Sequence, residues 1–127
     1  MAERLYRSMR AASDGYPEPG PSARMLGARP GLDIPVGDGL AAGGDGGMSV
    51  APDSPGNLPE HRRPSDQGGT GKDPVWVLDV ADLGDELVYR DDPLMPGVHG
   101  FVEPSAPMLF EQFESALLAT RRTWRLR

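Results

Sequence analysis

Glycine and proline punctuate this chain so densely that they limit the elements it can form. There are 17 glycines and 14 prolines among its 127 residues. Proline fixes φ and lacks the N–H donor that helix interiors and central strands need, and glycine weakens both kinds of element. The sequence therefore predicts short strands joined by turns and long loops, without extended helices.

The length of the chain allows one hydrophobic core. Two independent cores within 127 residues would each be too small to be stable, so residues 1–127 are predicted to form a single domain. Hydrophobic residues make up 38% of the sequence, which favours a small core with many loops.

Charge and cysteine content exclude several classes of function. The formal net charge is −6, with acidic blocks at 30–60 and 73–103 between more basic segments. Duplex DNA is not an expected partner, because DNA-binding proteins present Lys and Arg to the phosphates. Without cysteine there is no disulfide or thiolate ligand, and with only two histidines no metal site is predicted.

The first ten residues are charged and contain no apolar run. Neither a signal peptide nor a membrane span is therefore predicted. We expect a protein that acts in the cytoplasm of the producing or a target cell, and any export would use a signal-free machine.

Hydrophobic patterning predicts four strands and one helix. The strands are expected at 3–9, 75–80, 87–90 and 97–103. The acidic turn at 82–86 should place the third strand beside the second. A C-terminal helix is expected from the spacing of Phe110, Phe113, Leu117 and Trp124, with Arg121, Arg122 and Arg125 in its last turns. The residues thus predict an α+β fold of short strands, a C-terminal helix and long Gly/Pro-rich loops.

Three segments carry residue types that suit transfer of an ADP-ribosyl group from NAD. That reaction needs a cation near the phosphates or ribose, a bracing hydroxyl, and a carboxylate where oxocarbenium character develops. Arg7, Ser49 and Glu103 supply these types in chain order, each beside a predicted strand end. Because these residues are common, the triple alone does not identify the chemistry.

An ordered series of short motifs resembles a family of bacterial toxins. The motifs are Leu5-Tyr6-Arg7, Ala28-Arg29, Gly46-Gly47-Met48-Ser49-Val50, His99, Pro104-Ser105-Ala106-Pro107-Met108 and the segment from Arg121 to Trp124. In this order they resemble the second exported effector toxin family of bacterial type VI secretion. Met48 departs from the family pattern, which has Thr before the Ser, so only Ser49 is transferable.

The resemblance implies a small ADP-ribosyltransferase-like fold with two short, mostly antiparallel sheets. It also implies NAD as the cofactor, growth arrest as the effect, and a cognate immunity protein as a partner. Taken together, the resemblance and the transfer chemistry predict Arg7, Ser49, Glu103 and His99 as catalytic residues, of which Glu103 is assigned from the chemistry and not from the family pattern. The predicted cofactor-binding residues are Arg7, Met48, Ser49, His61, Arg62 and Tyr89. His61 and Arg62 would grip the pyrophosphate, and Tyr89 would stack on nicotinamide.

Ordinary structural roles remain open for each of these residues. Arg7 could pair with a carboxylate, Ser49 could bond its own turn, and the basic run at 61–63 could be solvated. His99 could be a packed strand-end residue and Tyr89 a core residue. A growth-arresting module without catalysis, or an enzyme that hydrolyses NAD, also fits the sequence. Lys72 does not belong to a phosphate loop, because a strand follows it instead of a helix.

Overall fold

Short strands dominate residues 2–127, the part of the chain that the computed structural model describes. No strand there is longer than five residues, as the glycine and proline content predicts. In chain order the strands are β1 (Arg4–Ser8), β2 (Val36–Gly37), β3 (Leu40–Ala41), β4 (Met48–Pro52), β5 (Val75–Asp79), β6 (Leu87–Asp91), β7 (Gly100–Pro104), β8 (Met108–Leu109) and β9 (Arg125–Leu126). One α-helix, α1 (Phe110–Ala119), lies between β8 and β9, and it is too short to cross a membrane, as is every other helix of residues 2–127.

The strands form two antiparallel sheets. The larger has the order β6-β7-β4-β1-β5-β9, and the smaller has the order β2-β3-β8. The prediction of an α+β fold with two antiparallel sheets and a C-terminal helix is therefore confirmed.

The larger sheet is joined at its centre by a narrow seam. β1 pairs with β5 through five residue pairs, and β6 pairs with β7 through five. β1 and β4, in contrast, pair only through Leu5 with Pro52 and Tyr6 with Ala51. Beyond Tyr6 the two central strands no longer pair, so the sheet is divided into two three-stranded halves.

The main core lies on the face of this sheet that α1 covers. Phe110, Phe113, Ala116 and Leu117 are the buried positions of the helix, at the spacing of one helical face. They join a cluster that includes Leu5, Met9, Ile34, Met48, Val50, Trp76, Leu78, Val102 and Trp124. A second, smaller cluster of Ala51, Leu58 and Val75, with Tyr6 packed against it, is separate from this core.

The C-terminal helix is shorter than predicted. It ends at Ala119, and Trp124 lies beyond it in extended backbone before β9. The Thr120 hydroxyl donates to the Leu117 carbonyl at 2.6 Å and accepts from the Trp124 indole N–H at 3.0 Å. These bonds turn the chain back toward β5, so the spacing of Trp124 belongs to the core but not to a helix.

Two strand predictions also need correction. The strand expected at 97–103 begins at Gly100, after a turn that includes Gly97 at a φ of 75°. β6 does not lie beside β5 as expected, because β5 has β1 on one side and β9 on the other. β6 instead forms an antiparallel pair with β7 at the opposite edge of the sheet.

Candidate functional site

A cavity of about 180 Å³ lies where β1 and β4 separate. Its lining comes from four places: strands β1 and β4, the loop that follows β1, the segment at 57–62, and the residue before β7. The residues are Arg7, Ser8, Ala23, Ser49, Val50, Ala51, Asn57, Leu58, Pro59, His61, Arg62 and His99. None of these is a carboxylate, whereas two are arginines and two are histidines. The cavity therefore favours an anion.

Arg7 fills the gap between the two central strands. Its Nη1 donates to the Ser49 carbonyl of β4 at 2.7 Å, and its Nη2 donates to the Met25 carbonyl at 2.9 Å. Weaker bonds reach the carbonyls of Ser22 and Gly27, and the residue is only 6% exposed. The guanidinium thus replaces the strand pairing that the seam lacks.

No carboxylate of residues 2–127 accepts a hydrogen bond from the Arg7 guanidinium; its acceptors are backbone carbonyls. Burial lowers the pKa of Arg7 to about 10, and Arg62 acts in the same direction, while Asp33 opposes the shift. The side chain remains a cation at neutral pH. Nη1 carries two N–H groups and donates one hydrogen bond among residues 2–127, which leaves one N–H of this cavity-lining residue without a partner there.

Arg62 is the second arginine that lines the cavity. Its nearest carboxylate is Asp73, with 3.9 Å between Arg62 Nη1 and Asp73 Oδ2. Asp73 is already engaged by Arg24 at 2.7 Å, and that hydrogen bond lowers the pKa of its carboxyl. Arg62 is therefore only loosely paired. His61, its neighbour in the chain, is exposed at the cavity rim.

His99 is held in position by Asp92 across the turn between β6 and β7. His99 Nδ1 lies 2.8 Å from Asp92 Oδ2, and this hydrogen bond is the largest cause of the lowered pKa of Asp92. An ionised carboxylate accepts a hydrogen bond, so Nδ1 is the donor in this pair and Nε2 is left for another contact. The ring also packs edge-on against Phe101 at 4.9 Å. His99 is thus an oriented acid–base group at the cavity.

Ser49 reaches the cavity because of the glycines that precede β4. A side chain at Gly46 would place its Cβ 2.1 Å from the Asp33 carbonyl oxygen, and the φ of Gly46 is 143°. Only glycine allows this close approach. Ser49 follows as the second residue of β4, paired with Phe101, and it is exposed. It lies within a strand and not in the turn that the sequence suggested.

Glu103 lies apart from the cavity. It is 5% exposed in β7, where its Oε2 accepts from Arg90 Nε at 3.0 Å and from the Gly44 N–H at 2.8 Å. The Arg90 guanidinium in turn lies over the Phe101 ring. The Glu103 carboxylate therefore joins β6, β7 and the glycine-rich turn. The geometry does not place Glu103 with the other candidate catalytic residues.

Two candidate cofactor-binding residues also lie away from the cavity. Met48 is 1% exposed and packs in the main core. The Tyr89 hydroxyl donates to Asp91 Oδ1, and its ring leaves no room for a side chain at Gly100. Burial and this bond raise the pKa of Tyr89 above its usual range. The structure therefore brings together Arg7, Ser49, His61, Arg62 and His99, but not Glu103, Met48 or Tyr89.

Sequence reasoning missed Ser8, Asn57 and Asp92. Ser8 immediately follows Arg7, and the period of two along a strand assigns neighbouring residues to opposite faces. Arg7 and Ser8 nevertheless both line the cavity, because the cavity opens at the edge of β1. The Asp92–His99 pair had a signal in the sequence, since both flank one turn between strands. No group of three or more potential metal ligands is present in residues 2–127.

No protein-family model, curated protein or solved structure matches the chain.

Proposed function

We propose that this protein is a toxin that arrests bacterial growth by binding NAD and transferring its ADP-ribosyl group to a cellular target. The observation that carries the proposal is the convergence of Arg7, Ser49, His61, Arg62 and His99 on one cavity free of carboxylates. The ordered motifs that resemble the toxin family add support. The cationic groups suit the pyrophosphate of NAD, whose charge they would neutralise.

The size of the cavity limits which part of NAD it holds. At about 180 Å³ it is smaller than the 300–1,000 Å³ of most small-molecule pockets. It accommodates a phosphate and part of a ribose, with the remaining groups lying over its open side. Arg7 and Arg62 would bind the pyrophosphate, and Ser49 would contact a ribose hydroxyl.

His99 is the general base in this proposal. The bond between ribose C1′ and the nicotinamide nitrogen breaks, nicotinamide leaves with the bonding pair, and C1′ forms a bond to the nucleophile of the target. His99 Nε2 takes the proton of that nucleophile, while Asp92 stabilises the imidazolium. Glu103 has no part in this step, because Arg90 and the Gly44 N–H already engage its carboxylate.

A non-catalytic toxin is the second candidate function. The lack of a carboxylate in the cavity lining favours it, because an oxocarbenium-like ribose has no negative group to stabilise it there. In that case the cavity would bind a ligand or a partner without reaction. NAD hydrolysis is the third outcome, with water in place of the target nucleophile.

Incubation with NAD labelled in its adenylate part, together with a bacterial lysate, separates these functions. Labelled macromolecules support transfer, free ADP-ribose alone supports hydrolysis, and intact NAD supports the binder. His99→Gln should reduce turnover at least tenfold without weakening NAD binding, because it removes the base and keeps a polar side chain.

Arg62→Met tests the binding role in the same assay. Its side chain forms only a 3.9 Å ion pair, so we expect an unchanged unfolding midpoint and NAD affinity at least fivefold weaker. Arg4→Met is the matched control, because Arg4 is exposed and does not line the cavity. Equal NAD affinity in wild type and Arg62→Met would contradict the placement of the pyrophosphate.

An immunity protein belongs to the same proposal. Asp82, Asp85 and Glu86 are exposed on one acidic turn, which suits a basic partner. Co-purification with the product of an adjacent small reading frame tests this, and relief of growth arrest on co-expression is the expected result.

A further inference from the structure

The Ser8 hydroxyl is buried at the cavity wall without a hydrogen-bond partner. Ser8 is 3% exposed, and its Oγ makes no hydrogen bond within residues 2–127. A buried hydroxyl without a partner destabilises a fold, so native proteins rarely retain one unless water, an ion or a ligand satisfies it. Ser8 is also one of the residues that line the cavity.

The surroundings of this hydroxyl identify the kind of atom that would satisfy it. Arg7 lines the cavity and has one N–H without a partner among residues 2–127, and Arg62 is only loosely paired. Two guanidiniums and a hydroxyl donor, with no lining carboxylate, match an acceptor that carries negative charge. A phosphate oxygen has this character, whereas a neutral apolar group would leave the hydroxyl unsatisfied.

We propose that Ser8 is a ligand-binding residue whose hydroxyl donates a hydrogen bond to a phosphate oxygen held between Arg7 and Arg62. The inference extends the proposed function to a residue that the motif resemblance does not include. It rests on that function only for the identity of the nucleotide, since any pyrophosphate-bearing ligand would make the same contact.

Ser8→Ala provides a test that separates binding from folding. If the hydroxyl serves the ligand, its removal should leave the unfolding temperature of the free protein unchanged or raised, because an unsatisfied polar group is lost. The same change should weaken the binding of inorganic pyrophosphate, measured by calorimetry, by fivefold to twentyfold. Ser115→Ala, at an exposed position of α1, is the matched control and should change neither quantity.

Parallel titration with NAD distinguishes this inference from the proposed function. If wild type binds pyrophosphate but not NAD, and Ser8→Ala weakens pyrophosphate binding, Ser8 has the inferred role and the NAD proposal is wrong. If wild type binds NAD and Ser8→Ala binds both ligands equally well, the inference is wrong and the function stands. Binding of neither ligand to wild type, or a loss of stability in Ser8→Ala, would also overturn the inference.

Discussion

Individual residues in this protein show that a buried charge can serve the fold where sequence chemistry suggests catalysis. Glu103 has the residue type that ADP-ribosyl transfer needs, yet its carboxylate accepts from Arg90 and from the backbone of Gly44. Arg7 combines both roles, because its guanidinium joins the central strands and still borders the cavity. A loss of toxicity in a Glu103 variant would therefore not by itself indicate catalysis.

We expect Glu103→Gln to lower the free energy of unfolding by about 2 kcal/mol, since it leaves Arg90 without its counter-charge. Urea unfolding at neutral pH measures the change. Glu86→Gln, at an exposed carboxylate, is the control and should lie within about 0.5 kcal/mol of wild type. A Glu103→Gln protein as stable as wild type but without activity would restore Glu103 to the site.

At the scale of elements, the strands whose hydrophobic residues are contiguous were predictable and their partners were not. Strand β5 follows directly from Val75-Trp76-Val77-Leu78, and β1 follows from the alternation of apolar and polar residues at 3–9. Pairing between distant strands depends on long-range packing, so the separation of β5 and β6 was not visible in the sequence. The same limit hid the end of α1, which is set by side-chain hydrogen bonds around Thr120.

Thr120→Val tests how the helix end is fixed. Valine keeps the shape of the side chain but removes the acceptor of the Trp124 indole N–H, leaving that donor buried and unsatisfied. We expect a loss of about 1–2 kcal/mol in unfolding free energy, with reduced protection of the β9 amides in hydrogen exchange. Ser115→Ala, in the exposed part of the helix, should leave both measurements unchanged.

In the molecule as a whole, more of residues 2–127 lie in loops and turns than in strands and helices, and arginine–carboxylate pairs hold several of these loops. Arg121 binds Asp14, Arg24 binds Asp73, and Arg29 binds Asp33, each through a bidentate contact. The sequence showed acidic and basic blocks in alternation but could not assign these partners. Five of the cavity residues were predictable from the sequence, because their residue types suit the binding of an anion. The cavity itself was not, because it depends on the unpaired edges of β1 and β4.

These pairs predict the response of the fold to acid. For Asp33, burial raises the pKa of the carboxyl, but the hydrogen bonds from Arg29 outweigh it and the net shift is downward. The pKa values of Asp14 and Asp73 are lowered chiefly by their arginine partners. A carboxylate with a lowered pKa in the folded state stabilises the protein above its unfolded pKa, and this contribution is lost as the pH falls through the folded value.

Stability should therefore decline as the pH falls from about 5 to about 3. Urea midpoints measured across this range provide the check. Addition of 0.5 M salt shortens the Debye length to roughly 4 Å and should reduce the decline in stability, because most of these pairs are exposed. Asp33→Asn should remove part of the slope, whereas Asp45→Asn in the exposed glycine-rich turn should not. A flat profile in wild type would show that the pairs do not contribute.

The segment at 57–62 that lines the cavity lies within a stretch of the chain that contains Pro52, Pro55, Pro59, Pro64 and Pro74. Each proline restricts the unfolded chain as well as the folded one, so much of the disorder that this segment would otherwise lose is absent before folding begins. This wall of the cavity is then largely ordered before any ligand arrives. Binding at this cavity should accordingly proceed with little ordering entropy, and its selectivity should depend on the size and charge of what enters.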